Sequence, residues 1–208
     1  LHTVPLGVAV QEPEPMPLSF DPPVIGYLSK LSESLGLGLL VDAFIALKRQ
    51  PGLENLRLRA TGGQHGPDAE FLRGLRVKLK AEGMEDDVEF VEGFNLQERR
   101  AFLRSLTVLS VPAPSGEAFG LQIIEAMSEG VPVVQPNAGG YPELVQATGG
   151  GLIYDPADPT ALKNSLESIL RNPTLAHELG ARGHAAVSQS YTVETMAAGT
   201  AKVYESVL

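Results

Sequence analysis

Short apolar runs alternate with longer amphipathic segments along the chain from residue 24 onwards. Runs such as VIGYL lack the polar alternation of a half-exposed strand, so they predict strands that are buried on both faces. The intervening segments carry apolar residues at helical spacing and end at glycine or proline. The predicted strands cover residues 24–28, 56–60, 88–92, 107–112, 131–136 and 151–155. The predicted helices cover residues 36–50, 68–83, 96–106, 119–130, 141–146, 159–171, 173–189 and 192–208.

This alternation predicts an α/β domain with a doubly wound, six-stranded, mainly parallel sheet of the Rossmann-like kind. Such sheets bind ligands at the carboxyl ends of their strands. Residues 1–23 are interpreted as a lead-in, because QEPEPMPLSFDPP holds five prolines, with one short strand before it at residues 3–10. Residues 24–190 form the predicted domain, and residues 191–208 a C-terminal helix.

Composition narrows the function classes. The 208 residues are 43% hydrophobic and carry a net charge of -9, which disfavours nucleic acid as a partner. The chain has no cysteine, which excludes disulfides, thiolate catalysis and cysteine-based zinc sites. No histidine pairs with a carboxylate at metal-ligand spacing, and no cofactor is expected. No apolar run is long enough to span a bilayer and no secretory signal is visible, so a cytoplasmic location is expected.

One stretch combines a predicted strand end, a loop and a helix start. Glu117 lies in the loop, and Gly120 in the first predicted helical turn. The N–H groups of Phe119, Gly120 and Leu121 would face an anion there, and Glu125 lies one turn further in. A diphosphate between two carboxylates suits a nucleotide diphospho-sugar. Spacing alone also fits the commoner case, in which Glu117 is a solvated loop acid and Glu125 is an ordinary helix glutamate.

The wider stretch resembles the donor-binding C-terminal domain of retaining glycosyltransferases with the GT-B fold, the family 4 or "group 1" type. The pattern is E-x-F-G-x-x-x-x-E-A-M, then G-x-P-V-V, then a Gly-Gly-x-x-E turn. It stands here as Glu117, Phe119, Gly120, Glu125-Ala126-Met127, then Gly130-Val131-Pro132-Val133-Val134, then Gly139-Gly140-Tyr141-Pro142-Glu143. The resemblance runs from about Val4 to the C-terminus.

The resemblance implies roles for these residues. Glu117 is the catalytic residue that contacts the transferred sugar, and Glu125 binds the ribose hydroxyls. Phe119, Gly120 and Leu121 hold the diphosphate. The implied partner is a UDP-, GDP- or ADP-linked sugar, and family members usually transfer it without a metal.

The family pattern R-x-x-x-x-K-G, which supplies two cations to the diphosphate, is altered here. Lys30 takes the first position, and Leu35 the second, before Gly36. An Arg-to-Lys change loses the bidentate fork, and a Lys-to-Leu change loses the charge. Two interpretations follow: a transferase that holds its diphosphate with Lys30 and the helix amides, or a degenerate, non-catalytic domain with a binding or scaffold role. A Rossmann dehydrogenase is disfavoured, because no G-x-G-x-x-G follows the first strand.

Several other residues carry weaker signals. In the family, loops near Gly62-Gly63 with His65 and near Phe94-Asn95 lie close to the donor, although a plain turn and a helix cap explain them equally well. Glu143 either contacts the ligand loop or caps a short helix. The remaining helical histidines, His177 and His184, are expected at the surface.

GT-B enzymes place their active site between two domains, and the acceptor-binding half comes first. No such α/β half precedes Val24. We therefore expect the acceptor, and any contact with a membrane surface, to belong to that missing N-terminal half. The chain alone is expected to bind donor and to transfer little.

Overall fold

The computed structural model describes residues 2–10, 17–63, 66, 68–91 and 96–207. The strands are β1 (Val24–Leu28), β2 (Arg57–Thr61), β3 (Val88–Val91), β4 (Val108–Leu109), β5 (Val133–Pro136) and β6 (Gly151–Tyr154). The helices are α1 (Leu37–Lys48), α2 (Asp68–Ala81), α3 (Leu96–Arg104), α4 (Leu121–Ser128), α5 (Tyr141–Thr148), α6 (Ala161–Leu170), α7 (Pro173–Ser190) and α8 (Val193–Val207). A short 3₁₀ turn, Glu85–Asp87, precedes β3.

The six strands form one sheet in the order β3-β2-β1-β4-β5-β6, and every pairing is parallel. The chain winds outward from β1 through β2 to β3, then crosses back to β4 and winds the other way. The direction changes between β1 and β4, where Ile25 pairs with Val108 and Gly26 with Leu109. The predicted doubly wound, Rossmann-like sheet is confirmed, and it is entirely rather than mainly parallel.

The core lies on both faces of this sheet. Every position of β1 and of β5 is buried, as the continuous apolar runs predicted. Helix α1 packs near α6, and α4 packs against α7. Tyr27 and Tyr141 are the largest side chains that are fully buried, and each stands near the carboxyl end of the sheet. Two buried tyrosines therefore lie at the edge where such folds bind ligands.

The predicted strand at residues 3–10 is wrong. Among the residues that the structure describes, a single parallel bridge forms there, between Val8 and Thr192. Val8 N donates to Tyr191 O at 2.8 Å, and Val193 N donates to Val8 O at 3.1 Å. The backbone of Gly7 lies so close to Thr192 that a Cβ on Gly7 would overlap its carbonyl. This pairing ties the lead-in to the start of α8 without extending the sheet.

Two predicted boundaries at β4 and α4 also differ from the structure. Strand β4 ends at Leu109 rather than at residue 112, because the side chain of Gln135 takes the next ladder position: Val111 N donates to Gln135 Oε1 at 3.2 Å. Helix α4 begins at Leu121 rather than at residue 119, because Gly120 has a left-handed φ of 95°. No helix in the described ranges is long and apolar enough to cross a membrane.

Candidate functional site

The loops that follow β1 and β4 meet at the point where the sheet changes direction. Gly36 has a φ of 80°, and a Cβ there would overlap the carbonyl of Pro112. A residue with a side chain would thus push the two loops apart. This crevice, at the carboxyl ends of β1 and β4, is the ligand position of doubly wound sheets.

Two helices begin at this crevice with their N-termini towards it. Gly36 precedes α1 and Gly120 precedes α4, and neither cap residue offers a side chain to the helix. The first N–H groups of an α-helix have no acceptor within the helix, and the helix dipole favours an anion beside them. Gly120 is buried, and a Cβ there would press on the ring of Tyr141 at 3.0 Å. The start of α4 can therefore receive a phosphate closely.

The glycine turn before α5 packs on the loop that carries Glu117. Gly140 N donates to Glu117 O at 2.7 Å. A Cβ on Gly139 or on Gly140 would collide with the backbone of the loop at Glu117 or Ala118. The Gly139-Gly140 turn thus packs directly against the backbone of Glu117 and fixes its position. The side chain is held separately: Gln122 Nε2, at the second position of α4, donates to Glu117 Oε2 at 2.9 Å.

Two buried tyrosine hydroxyls stand beside the Glu117 carboxylate. Burial raises the pKa of Tyr27 well above its usual range, and the negative charges of Glu117 and then of Asp68 raise it further. Burial likewise raises the pKa of Tyr141, and Glu117 and Tyr27 add to that shift. Both phenols therefore keep their protons at neutral pH. Tyr27 Oη donates to Lys30 O at 2.7 Å, which fixes the loop after β1.

Lys30 lies in that loop, as predicted, and forms an ion pair with Asp68 at 3.0 Å. Its side chain remains 41% exposed, whereas that of Asp68 is 10% exposed. Asp68 begins α2, so its carboxylate also lies at a helix N-terminus. Leu35 is half-buried against the core, and its carbonyl lies 3.4 Å from Tyr27 Oη. The loop thus replaces the expected second cation with apolar packing.

Glu125 is one turn into α4 and faces α3, where it forms an ion pair with Arg99. Both side chains are largely buried. Glu129, one turn further, pairs with Arg100 and Arg104 at 2.6 Å each. These pairs line a groove of about 670 Å³ between α3, α4 and residues 7–9, with Leu121 and Glu125 at the end nearest the crevice. Glu125 therefore lies at the boundary between the crevice and the groove.

The other predicted residues have mixed outcomes. The ring of Phe119 packs 6.4 Å from that of Tyr191, so its side chain serves packing. Leu121 is exposed at the first position of α4. Gly62-Gly63 forms a turn that packs on the loop after β1, since Leu31 N donates to Gly63 O at 3.0 Å. The side chain of Glu143 is exposed.

His177 and His184, both on α7, differ in their exposure. His177 is exposed, as expected, with its ring 6.0 Å from that of Phe20. His184 is half-buried rather than on the open surface, because its Nδ1 lies 2.8 Å from Ser128 O at the end of α4. His65, Phe94 and Asn95 lie outside the described residues. Within the described ranges, no group of three carboxylate or imidazole side chains converges as a metal site would require.

Residues 11–185 match the model of the family described as glycosyl transferases group 1. The chain belongs to the group 1 glycosyltransferases. It is 32% identical over 149 residues to a D-inositol 3-phosphate glycosyltransferase of Corynebacterium efficiens, covering 71% of this chain and 34% of the relative. It is 29% identical to an MMP alpha-(1->4)-mannosyltransferase of Mycolicibacterium hassiacum, covering 100% of this chain and 49% of the relative. This group 1 chain thus spans half or less of the length of these two relatives.

Solved structures of similar fold agree with the family. A sucrose-phosphate synthase of Thermosynechococcus elongatus superposes with a TM-score of 0.84 at 26% identity, covering 98% of this chain and 52% of that one. HepE of Anabaena in complex with UDP-glucose superposes with a TM-score of 0.75 at 25% identity, covering 88% and 48%. The group 1 chain therefore has the fold of one half of a GT-B glycosyltransferase.

Five side chains around the site of this group 1 chain were not predicted: Tyr27, Asp68, Arg99, Gln122 and Tyr141. Asp68, Arg99 and Tyr141 contact a predicted residue from a different element, so no local spacing indicates them. Tyr27 contacts Lys30 only three residues along the chain, but it stands within a buried strand and there resembles a core residue. Gln122 follows Glu117 by five residues, and a polar side chain at the second position of a helix is usually solvent-exposed. The burial of Gln122 is what indicates a role at the site, and the sequence alone does not show that burial.

Proposed function

We propose that this chain is the donor-binding half of a retaining glycosyltransferase that uses a nucleotide diphospho-sugar. In the reaction, the bond from sugar C1 to the β-phosphate oxygen breaks and a bond from C1 to the acceptor oxygen forms. The nucleoside diphosphate leaves, and the proton of the acceptor hydroxyl passes to the oxygen of the leaving diphosphate. The sugar keeps its anomeric configuration, which NMR of the product made by the full-length protein would test.

The proposed roles follow the crevice from loop to helix. Glu117 faces the sugar, the N-terminus of α4 with Gly120 and Leu121 receives the diphosphate, and Glu125 accepts the ribose diol. Lys30 supplies the positive charge from the loop after β1. Charge develops on the diphosphate as the bond to C1 breaks, so donors aimed at it stabilise the transition state.

One observation carries this proposal. Glu117 and Glu125 flank a glycine-capped helix N-terminus at the β1–β4 crevice of a group 1 glycosyltransferase chain. The HepE complex with UDP-glucose supports a nucleotide sugar as the ligand class. A uridine, guanosine or adenosine base is consistent with the same geometry.

We further propose that residues 24–190 form the donor domain and that the acceptor binds a separate half of a longer protein. The lengths of the relatives support this, since the chain covers 34% and 49% of the two described above. The purified chain should then bind donor but transfer little sugar. Robust transfer by the 208-residue chain would contradict the proposal that the acceptor binds a separate half.

The ribose role of Glu125 gives the direct test. We expect wild-type chain to bind UDP, GDP or ADP in calorimetry and to bind the 2′-deoxy form of that nucleotide about tenfold more weakly, because a hydrogen bond to a carboxylate is lost. Glu125→Ala should weaken binding of the ribonucleotide and abolish the preference over the 2′-deoxy form.

Glu167→Ala is the matched control, because Glu167 is also a partly buried, ion-paired helix glutamate, on α6 and far from the crevice. It should leave both affinities unchanged. If wild-type chain binds none of the three nucleotides, the non-catalytic alternative gains support. The family and its named relatives give that alternative no support at present.

A further inference from the structure

Gln122 is a buried amide at the second position of α4, with 7% of its surface exposed. A buried amide is costly unless its polar atoms are hydrogen-bonded. Its Nε2 donates to Glu117 Oε2 at 2.9 Å and lies 3.4 Å from Tyr141 Oη. The amide therefore connects Glu117 in the loop to Tyr141 at the start of α5 through two hydrogen bonds.

Tyr141 completes the arrangement from the other side. Its side chain is fully buried, and its ring packs directly beneath Gly120. Because burial and the charge of Glu117 disfavour ionisation of the phenol, its O–H remains a donor. Rigid packing of the ring thus places the phenol oxygen where it accepts from Gln122 Nε2 and can donate its proton to the Glu117 carboxylate.

A carboxylate on a loop can otherwise rotate freely. It offers about four acceptor positions, so an oxygen engaged by Gln122 leaves capacity for a sugar hydroxyl. An orienting bond to Oε2 limits the rotation of the carboxylate, which lowers the entropy lost when a ligand is bound. The gain would apply to the part of the ligand that Glu117 contacts and to no other part.

We propose that Gln122 and Tyr141 are positioning residues that orient the Glu117 carboxylate towards the sugar of the donor and thereby determine the preference for nucleotide sugar over free nucleotide. This inference rests on the proposed function, in which Glu117 faces the sugar. It adds two residues, on α4 and α5, that act on the sugar subsite through Glu117 and not on the diphosphate.

The test measures the ratio of the dissociation constant of UDP to that of UDP-glucose for the 208-residue chain. GDP with GDP-mannose and ADP with ADP-glucose replace this pair if the chain does not bind uridine. Gln122→Leu should lower the ratio about tenfold, the value of one hydrogen bond to a charged group. The affinity for UDP itself should change less than about twofold, because a merely structural defect would weaken both ligands.

A double-mutant cycle shows whether Gln122 acts through Glu117. In a Glu117→Ala background, Gln122→Leu should cause no further change in the ratio. Tyr141→Phe keeps the ring and the fold, and it should lower the ratio about threefold through loss of one neutral hydrogen bond. Tyr154→Phe, the same change at another buried tyrosine, on β6, should not alter it.

The outcomes separate the two claims. A wild-type chain that binds no nucleotide overturns the proposed function, and the inference with it. A wild-type chain that binds nucleotide but has a ratio of one, or Gln122→Leu and Tyr141→Phe variants that keep the wild-type ratio, overturns the inference and leaves nucleotide binding intact. Additive effects of Glu117→Ala and Gln122→Leu would also overturn it.

Discussion

Leu35 stands at the head of α1, where a second cation would complete the contact with a diphosphate. Its side chain packs on the core instead, and Lys30 is the single cation between residues 24 and 36. Lys30 is itself neutralised by Asp68. The loop after β1 therefore offers an anionic ligand one positive charge, shared with Asp68, beside the amides at the helix N-termini.

Leu35→Lys should restore the missing charge. The long side chain can keep its methylenes on the core and extend its ammonium into the crevice. We expect UDP to bind about tenfold more tightly, by the value of one charge-assisted hydrogen bond. Calorimetry at two salt concentrations would also show a steeper salt dependence of the affinity.

The control is Leu39→Lys, because Leu39 lies in the first turn of α1, four residues after Leu35, and its side chain is 50% exposed. It adds the same charge at the third position of α1, on the solvent-exposed face of the helix rather than on the face that packs on the core. Equal gains in affinity from both variants would mean that general electrostatics, and not a phosphate contact at residue 35, is responsible.

The residues of the site were predictable to the extent that they share one local pattern. The spacing of Glu117, Gly120 and Glu125 placed all three around one helix start, as the structure has them. Their partners were not predictable, because Arg99 reaches Glu125 from α3, and Asp68 reaches Lys30 from α2. Such contacts depend on how separate elements pack, which no short stretch of sequence encodes.

At the scale of elements, α7 approaches α4 unusually closely through glycine. A Cβ on Gly180 would overlap the carbonyl of Gly130 at the end of α4, and one on Gly183 would lie 2.9 Å from Met127 Cγ. Helix α4 carries Glu125 and the N-terminus that we propose receives the diphosphate. The position of α4 thus depends on two glycines of α7, a helix that holds none of the predicted ligand residues.

Gly180→Ala should destabilise the fold by about 2 kcal/mol, because the steric overlap destabilises it by more than the higher helix propensity of alanine stabilises it. Gly74→Ala is the matched comparison: Gly74 lies inside α2, and a Cβ there meets nothing within 4 Å. It should stabilise by about 0.5–1 kcal/mol. Urea unfolding of both variants measures the difference, and the same sign for both would refute the packing argument.

The elements themselves were largely predictable, because their apolar runs and helical spacing repeat many times along the chain. The errors fell where pairing is decided by distant partners. In the described part of the lead-in, Val8 forms a single bridge with Thr192, so no strand forms there. Gln135 ends β4 early, because its side chain accepts from Val111 N. An extended apolar sequence does not reveal whether a neighbouring strand exists to pair with it.

At the scale of the whole molecule, three buried tyrosines should make the free energy of unfolding fall at alkaline pH. Burial raises the pKa of Tyr154 to about 12, and those of Tyr27 and Tyr141 are raised as well. An unfolded tyrosine ionises near pH 10. Above that pH the folded state holds more protons than the unfolded state, so the free energy of unfolding falls as pH rises. Below pH 10 the stabilisation from these groups is fully present.

Urea unfolding between pH 9 and pH 11.5 should therefore show a falling free energy, with a slope of up to about 1.4 kcal/mol per pH unit from each tyrosine. Tyr154→Phe should make the slope shallower by one such contribution between pH 10 and about 12. A variant with the slope of the wild type would show that Tyr154 ionises at similar pH in both states.

The change of direction between β1 and β4 has a consequence for how the chain acquires its shape. Roughly 80 residues separate these neighbouring strands, so their pairing closes a long loop and is intrinsically slow. During synthesis, β1 can meet β2 early, while its other edge stays open until β4 emerges. The crevice does not exist before that closure, because its two walls are the loops after β1 and β4. Ligand-binding competence should thus appear late in folding, after the first half of the sheet has formed.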